Sequence, residues 1–322
     1  MGHQQVLGRQ FVCRLRDHGK GVSLAGVFLL LSACAGRGVI VDQPRTTVSP
    51  MSKWCTIGDT RVHYLDSDRS GSDGTLLIVH GYLGSTVPFL DLIDRLSRDL
   101  RVVMPDLPAF GYSEVPERSC TMEYYLDFLA RFTQAVGLDR CYLMGTSMGA
   151  NIAAHYTAEH SEQIEGLIFV SPFGLEDQAG RMSQIRRWDS FLPLVSSLVT
   201  RRTIKRFLHR SIVNGELISP ELIDAYWKPF TTPEGRRAAV EVTRRIVGSC
   251  SMEELLPQIG QSVLILIGSE DKLLCAGEKE KFRLLLVREQ LEIIEAGGHF
   301  LYLDSPEVVS QKIVTFTSGG SE

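Results

Sequence analysis

No cluster of histidines and cysteines in this chain has zinc spacing, and the sequence holds no H-E-x-x-H, so neither kind of zinc site is indicated. No metal or cofactor is expected. Internal repeats and low-complexity tracts are also lacking. Positive charge is in short supply: 34 Lys and Arg stand against 38 Asp and Glu, a formal net charge of -4. A general nucleic-acid binder needs a basic footprint, so no nucleic-acid partner is expected. No apolar run reaches the roughly 20 residues of a membrane-spanning helix. The seven cysteines show no disulfide-framework spacing. What is present is ordinary for a folded protein, with 44% hydrophobic and 22% charged residues. A length of 322 residues suits one large α/β domain with an insertion, or two small domains. It is enough to bury a large core.

The N-terminus reads as an address rather than as part of the fold. Arg9, Arg14, Arg16 and Lys20 form a positive region, and Val22 to Leu31 is apolar. That pattern fits a secretory signal peptide. It ends in Leu31-Ser32-Ala33-Cys34, which resembles the lipobox of bacterial lipoproteins. Residues 1–33 are expected to be removed and Cys34 to carry lipid, making the mature protein an exported lipoprotein of the outer membrane or cell envelope. Cleavage removes four basic residues and one acid, taking the formal charge from -4 to -7. Residues 34–53 hold Gly, Pro, Thr and Ser without periodicity and read as a flexible tether.

Beyond the tether, short apolar runs alternate with segments of helical spacing. Strands are expected at Thr60–Leu65, Thr75–Val79, Arg101–Met104, Arg140–Met144, Gly166–Val170, Val263–Ile267 and Leu291–Ile294. Helices are expected at Phe89–Arg98, Met122–Val136, Met148–His160, Glu278–Val287 and Pro306–Thr317. The alternation means a mostly parallel sheet covered by helices on both faces. It stops between Leu175 and Gln261, where the chain is helical in character and carries Trp188, Phe191, Phe207, Trp227 and Phe230. Residues 54–175 and 256–322 are therefore assigned to the α/β core, and 176–255 to a helical cap above the carboxyl ends of the strands, where such folds bind ligands.

Gly145-Thr146-Ser147-Met148-Gly149 is a G-x-S-x-G motif between an expected strand and an expected helix. A turn that sharp leaves no room for Cβ atoms at the glycines, and it holds the serine strained with its oxygen exposed. Serine needs a base to take its proton. Of eight histidines, His3 and His18 leave with the signal, and His63, His155, His160 and His209 read as surface residues. His299, in Gly297-Gly298-His299 after an apolar strand, is the candidate base. The candidate acid is Asp271, in the order Ser, Asp, His; Glu270, Glu176 and Asp177 are the alternatives. Asp304 is expected to brace the His299 loop or cap the last helix. His80-Gly81-Tyr82-Leu83-Gly84 follows a strand and supplies a second oxyanion donor, so the N–H groups of Tyr82 and Met148 form the candidate oxyanion hole.

These motifs, with Asp106-Leu107-Pro108-Ala109-Phe110-Gly111-Tyr112-Ser113, resemble the α/β-hydrolase superfamily across nearly all of the chain after about Trp54. The segments Asp106–Ser113, Gly145 to His160 and Ser171–Leu175 are most similar to monoacylglycerol lipases and bacterial lipases of lipolytic family V. The chain departs from that pattern at Ala109 and Ala150, where glycine is usual. The resemblance implies a serine hydrolase of carboxylic esters with medium or long acyl chains, acting through an acyl-enzyme on an acyl ester or lipid substrate. Carbon–carbon bond hydrolases and thioesterases use the same motifs and remain alternatives. A lipoprotein that only binds a ligand is a third reading, disfavoured by the complete set of Ser, His and Asp. Dehalogenases and epoxide hydrolases of this fold use an aspartate nucleophile, which Ser147 argues against.

Overall fold

The computed structural model describes residues 48–69, 74–175, 196–247, 250–274 and 276–319. The expected signal peptide, Cys34, most of the tether, Glu176, Asp177 and the cap residues up to position 195 lie outside them. Among the described residues, eight strands form one sheet in the order β1-β2-β4-β3-β5-β6-β7-β8. They are β1 (Ser52–Ile57), β2 (Thr60–Asp66), β3 (Thr75–Val79), β4 (Arg101–Pro105), β5 (Cys141–Thr146), β6 (Ile164–Val170), β7 (Ser262–Gly268) and β8 (Glu289–Ile294). The first two pair antiparallel, as do β2 and β4; all later pairings are parallel.

The parallel strands are the continuous apolar runs of the sequence. Leu76 to Val79, Leu143, Met144, Leu167 to Val170 and Leu264 to Ile267 are fully buried. A strand covered on both faces needs apolar side chains at every position rather than alternately. Each such side chain contributes about 1.5–3 kcal/mol through its burial. Helices α1 (Leu90–Leu96), α2 (Met122–Ala135) and α3 (Met148–Glu159) connect the first half of the sheet. Helix α7 (Ala276–Leu285), the one-turn α8 (Leu301–Asp304) and α9 (Pro306–Thr317) serve the second, with α9 lying against α1.

Strand β1 was not expected. The tether reading ran to residue 53, but Ser52 to Ile57 pair with Leu65 to Thr60 in an unbroken antiparallel register. Its buried positions are the adjacent Trp54 and Cys55 together with Ile57, so no clean period of two marks the strand. A two-residue turn closes the hairpin, with Gly58 at φ 65°.

Between β6 and β7 the described residues form helices and no strand. These are α4 (Arg201–Ser211), α5 (Pro220–Trp227), α6 (Pro233–Val242) and a π-helical turn, Thr243–Val247. Their starts are written in the sequence. Thr200, Ser219 and Thr232 cap the three helices through their side chains, and proline occupies the first turn of α5 and α6. The insertion is joined to the core by aromatic rings. Tyr226 of α5 stacks on Phe300 at 5.4 Å and Phe207 of α4 meets Phe300 edge-on at 5.9 Å, while within the core Tyr302 stacks on Phe89 at 3.9 Å. The hydroxyls of Tyr226 and Tyr302 are 2.9 Å apart. Among the described residues no helix is long and apolar enough to cross a membrane.

Candidate active site

Strand β5 ends at Thr146 and α3 begins at Met148, so Ser147 alone makes the turn. Its backbone has φ 52° and ψ -122°. A side-chain-bearing residue held there costs about 1–3 kcal/mol and persists only where its surroundings fix it. Here the Ser147 N–H donates to the Val170 carbonyl at 3.1 Å, and its own carbonyl accepts from Ala150 at 3.0 Å and Phe173 at 3.1 Å. Both glycines of the motif are required. A Cβ on Gly149 would overlap the Val79 carbonyl oxygen, and one on Gly145 would lie 2.5 Å from the Ala150 Cα.

The three side chains proposed from sequence meet at the carboxyl ends of the strands. His299 Nε2 is 3.0 Å from Ser147 Oγ, and His299 Nδ1 is 2.9 Å from Asp271 Oδ2. With Nδ1–H donated to the carboxylate, Nε2 presents a lone pair to the serine proton. His299 and Asp271 are buried. Asp271 also accepts the Leu273 N–H at 2.9 Å, which fixes its aim. Burial alone would raise the Asp271 pKa, but the hydrogen bond and charge of His299 outweigh it and hold the carboxyl below its ordinary value. Neighbouring Glu270 is exposed, so of the two it is Asp271 that reaches His299. The alternatives Glu176 and Asp177 lie outside the described residues.

Met148 opens α3, so its N–H precedes the first intrahelical bond and points out with the positive end of the helix. The loop after β3 runs beside it: a Cβ on Gly81 would be 3.0 Å from Ser147 Cβ. His80 holds this loop. Its Nδ1–H donates to the Gly81 carbonyl at 2.8 Å and its Nε2 accepts the Leu107 N–H at 2.9 Å, which fixes one tautomer. Burial pushes the His80 pKa down despite the charge of Asp106 nearby, so the ring stays neutral.

Asp304 braces the His299 loop, as expected, and does not cap the last helix. Its carboxylate accepts the N–H of Gly298 at 2.9 Å, of Val213 at 3.0 Å and of Asn214 at 3.1 Å. It thereby ties the loop to the end of α4. Ser305 is the N-cap residue of α9 and makes no side-chain cap bond.

The surface reading of the remaining histidines fails at His63. It is completely buried in β2, with Nδ1 2.9 Å from Asp106 Oδ2 and Nε2 3.2 Å from Ser52 Oγ. Asp106 further accepts the N–H groups of Thr86 at 2.6 Å and Tyr112 at 2.8 Å. Every polar atom of that carboxylate is used to shape the loop from Asp106 to Ser113. The available signal was position 63 itself, inside a strand with Val62, Tyr64 and Leu65 as neighbours. His155 is half-buried rather than on the surface, while His209 is exposed.

Residues 74–306 match the family model described as the alpha/beta hydrolase fold. The chain belongs to this family. It is similar to the uncharacterized hydrolase YugF of Bacillus subtilis, at 24% identity over 84% of this chain and 98% of the other. It is also similar to monoacylglycerol lipase abhd6-A of Xenopus laevis, at 22% identity over 85% of this chain and 84% of the other. Among solved structures, a membrane phospholipase A described as a bacterial virulence factor superposes with a TM-score of 0.70 at 25% identity, covering 83% of this chain and 86% of that one. Haloalkane dehalogenases are relatives as well, so membership alone leaves the reaction open.

Proposed function

We propose that this chain is a serine hydrolase of carboxylic esters with medium or long acyl chains. The observation that carries the reading is the hydrogen-bonded row Ser147–His299–Asp271, with the serine on a strained turn at a helix N-terminus. In this mechanism Ser147 Oγ attacks the ester carbonyl while His299 Nε2 takes its proton. Asp271 keeps the ring in the tautomer that accepts it and offsets the imidazolium charge. The oxyanion collects at the N–H groups of Tyr82 and Met148. The tetrahedral intermediate expels the alcohol, which receives the proton from His299, and leaves an acyl-enzyme. Water then repeats the sequence and releases the acid. A dehalogenase of this fold would need a carboxylate where Ser147 stands.

The lipase and phospholipase names among the similar proteins support a lipid ester as substrate. Export as a Cys34-anchored lipoprotein, inferred from Leu31-Ser32-Ala33-Cys34, would keep the enzyme beside such a substrate. A thioester or a carbon–carbon bond next to a ketone would use the same row of residues. Relative rates on an acyl ester series, an acyl thioester and a vinylogous diketone separate the three.

The decisive test is a fluorophosphonate probe, expected to label Ser147 alone. Ser147→Ala should abolish labelling and lower hydrolysis by about 10⁴-fold or more. A Ser147→Ala protein keeping more than about a tenth of wild-type activity ends the serine-hydrolase reading.

A further inference from the structure

The loop that carries the Tyr82 N–H is a short turn, closed by the Gly84 N–H donating to the Gly81 carbonyl at 3.1 Å and anchored by the buried Leu83. Gly81 and Gly84 flank the segment, and Leu83 between them is held at φ 58°. On the core side its handle is His80, through the Gly81 carbonyl. On the other side its handle is the Tyr82 side chain, which reaches into the insertion. The ring meets Phe110 edge-on at 6.0 Å. The hydroxyl donates to the Ala239 carbonyl of α6 at 3.1 Å. It accepts from the Thr243 hydroxyl at 2.8 Å, and Thr243 Oγ1 is itself 2.9 Å from the Ala239 carbonyl. The three oxygens close a triangle where α6 gives way to the π-helical turn Thr243–Val247. Such turns widen a helix by one residue and occur frequently at functional sites.

We propose that this triangle is a positioning device, in which the insertion sets the oxyanion hole by holding Tyr82 from above. Tyr82 is then a residue with two ends. In the oxyanion hole proposed above its backbone N–H serves the reacting oxygen, while its hydroxyl is locked to a helix of the insertion. Burial pushes the phenol up to about 12, so the hydroxyl stays a donor at any working pH. A tyrosine with a satisfied hydroxyl is usually only a packing residue. What sets this one apart is that its own peptide unit is the donor in question, and that its hydroxyl is the loop's hydrogen-bonded tie to the insertion, opposite the His80 tie on the core side. Shifting the ring shifts the N–H, and catalytic geometry tolerates little: a 1 Å error can cost about 100-fold. The inference rests on the serine-hydrolase reading for its kinetic consequences, though not for the contact itself.

The test is Tyr82→Phe and Thr243→Val in the full chain, with Thr243→Ser as the conservative control. Either loss of hydroxyl should lower kcat by about 10- to 100-fold and leave KM within about twofold. An alkyl boronic acid, which adds to the serine as a tetrahedral adduct, should bind more weakly by the same factor as kcat. Because both changes break one triangle, the double variant should be no worse than the worse single one. Thr243→Ser should restore most of the rate. Unchanged kcat and boronate affinity in Tyr82→Phe overturn the proposal, as does a rise in KM alone, which would mark a simple substrate contact. If Tyr82→Phe does not fold, the Thr243 pair carries the comparison. Hydrogen exchange supplies an arm independent of activity. The peptide spanning residues 81–84 should exchange faster in Tyr82→Phe while α3 stays unchanged, and equal exchange sinks the idea even if the wild type proves not to be an esterase. Failure of wild-type labelling by fluorophosphonate, by contrast, condemns the reading of Ser147 and not the contact.

Discussion

At the scale of single residues, the loop after β4 shows how one atom decides tolerance. Ala109 and Gly111 both adopt left-handed backbone, at φ 77° and φ 56°. Strain of about 1–2 kcal/mol is expected for any Cβ in that region. At Ala109 the methyl is buried, so glycine there would relieve strain but lose about 0.8 kcal/mol of burial and gain freedom in the unfolded chain. These terms nearly cancel, and Ala109→Gly should stay within about 1 kcal/mol of wild type. At Gly111 a Cβ would overlap the Asp106 carboxyl, the same group that holds His63. Gly111→Ala therefore adds a collision with a buried pair to the backbone strain, and should cost about 3 kcal/mol or more. Urea unfolding of the two variants checks this. A smaller loss for Gly111→Ala than for Ala109→Gly would show that the loop yields where the structure holds it rigid.

At the scale of elements, α4 bears on the basic stretch from Arg181 to Arg210, of which residues up to 195 lie outside the described residues. That stretch, with its interleaved apolar residues, suggests a helix lying with its apolar face in a membrane. In α4 the apolar face is already used. Ile204 and Leu208 are buried, and Phe207 lies against Tyr226 and Phe300. The exposed face carries Arg202, Lys205, Arg206, His209 and Arg210, with the exposed Leu198 before the helix and Val213 and Leu217 after it. Insertion of the α4 apolar stripe is thus ruled out by its packing, and attraction to an anionic surface is what remains. Arg201 is left aside because it pairs with Asp224 at 2.9 Å and lies over the Trp227 ring. Replacing Arg202, Lys205 and Arg206 with Gln should weaken binding of the unlipidated protein to anionic vesicles by about 100-fold, at about 1 kcal/mol per charge. Salt should weaken wild-type binding in the same direction. Equal binding to neutral and anionic vesicles would leave this face as solvated surface.

At the scale of the whole molecule, the proposed lipoprotein export would make the segment before residue 48 the address of the enzyme. The lipoprotein reading expects Cys34 as the first residue of the mature chain, carrying acyl groups. Ala35 follows it rather than aspartate, which by the sorting rule of Gram-negative lipoproteins expects the outer membrane. Mass spectrometry of the mature N-terminus checks this, and an unmodified residue there, or an intact Met1, rules the anchor out. With the anchor, a substrate held in a bilayer and the insertion above the active site become parts of one arrangement.

The parallel sheet, the sharp turn at Ser147 and the residues that meet there, Asp271 and His299, could all be read from the sequence. Each rests on local chemistry: continuous apolar runs, glycines that only a tight turn requires, and a histidine and an aspartate just past strand ends. The bounds of α9 were read to the residue, because Ser305-Pro306 marks its start. What could not be read locally are the partnerships between distant segments. Strand β1 exists because β2 offers it a hydrogen-bonding edge, not because of its own pattern. His63 is buried because Asp106, 43 residues away, accepts the hydrogen bond of its ring N–H. Tyr82 holds Ala239 across 157 residues, and Asp304 holds Val213 across 91. A polar side chain announces in sequence that it needs a partner, since burying it alone is costly. Only the tertiary fold, by deciding which loops meet above the sheet, determines which partner it finds.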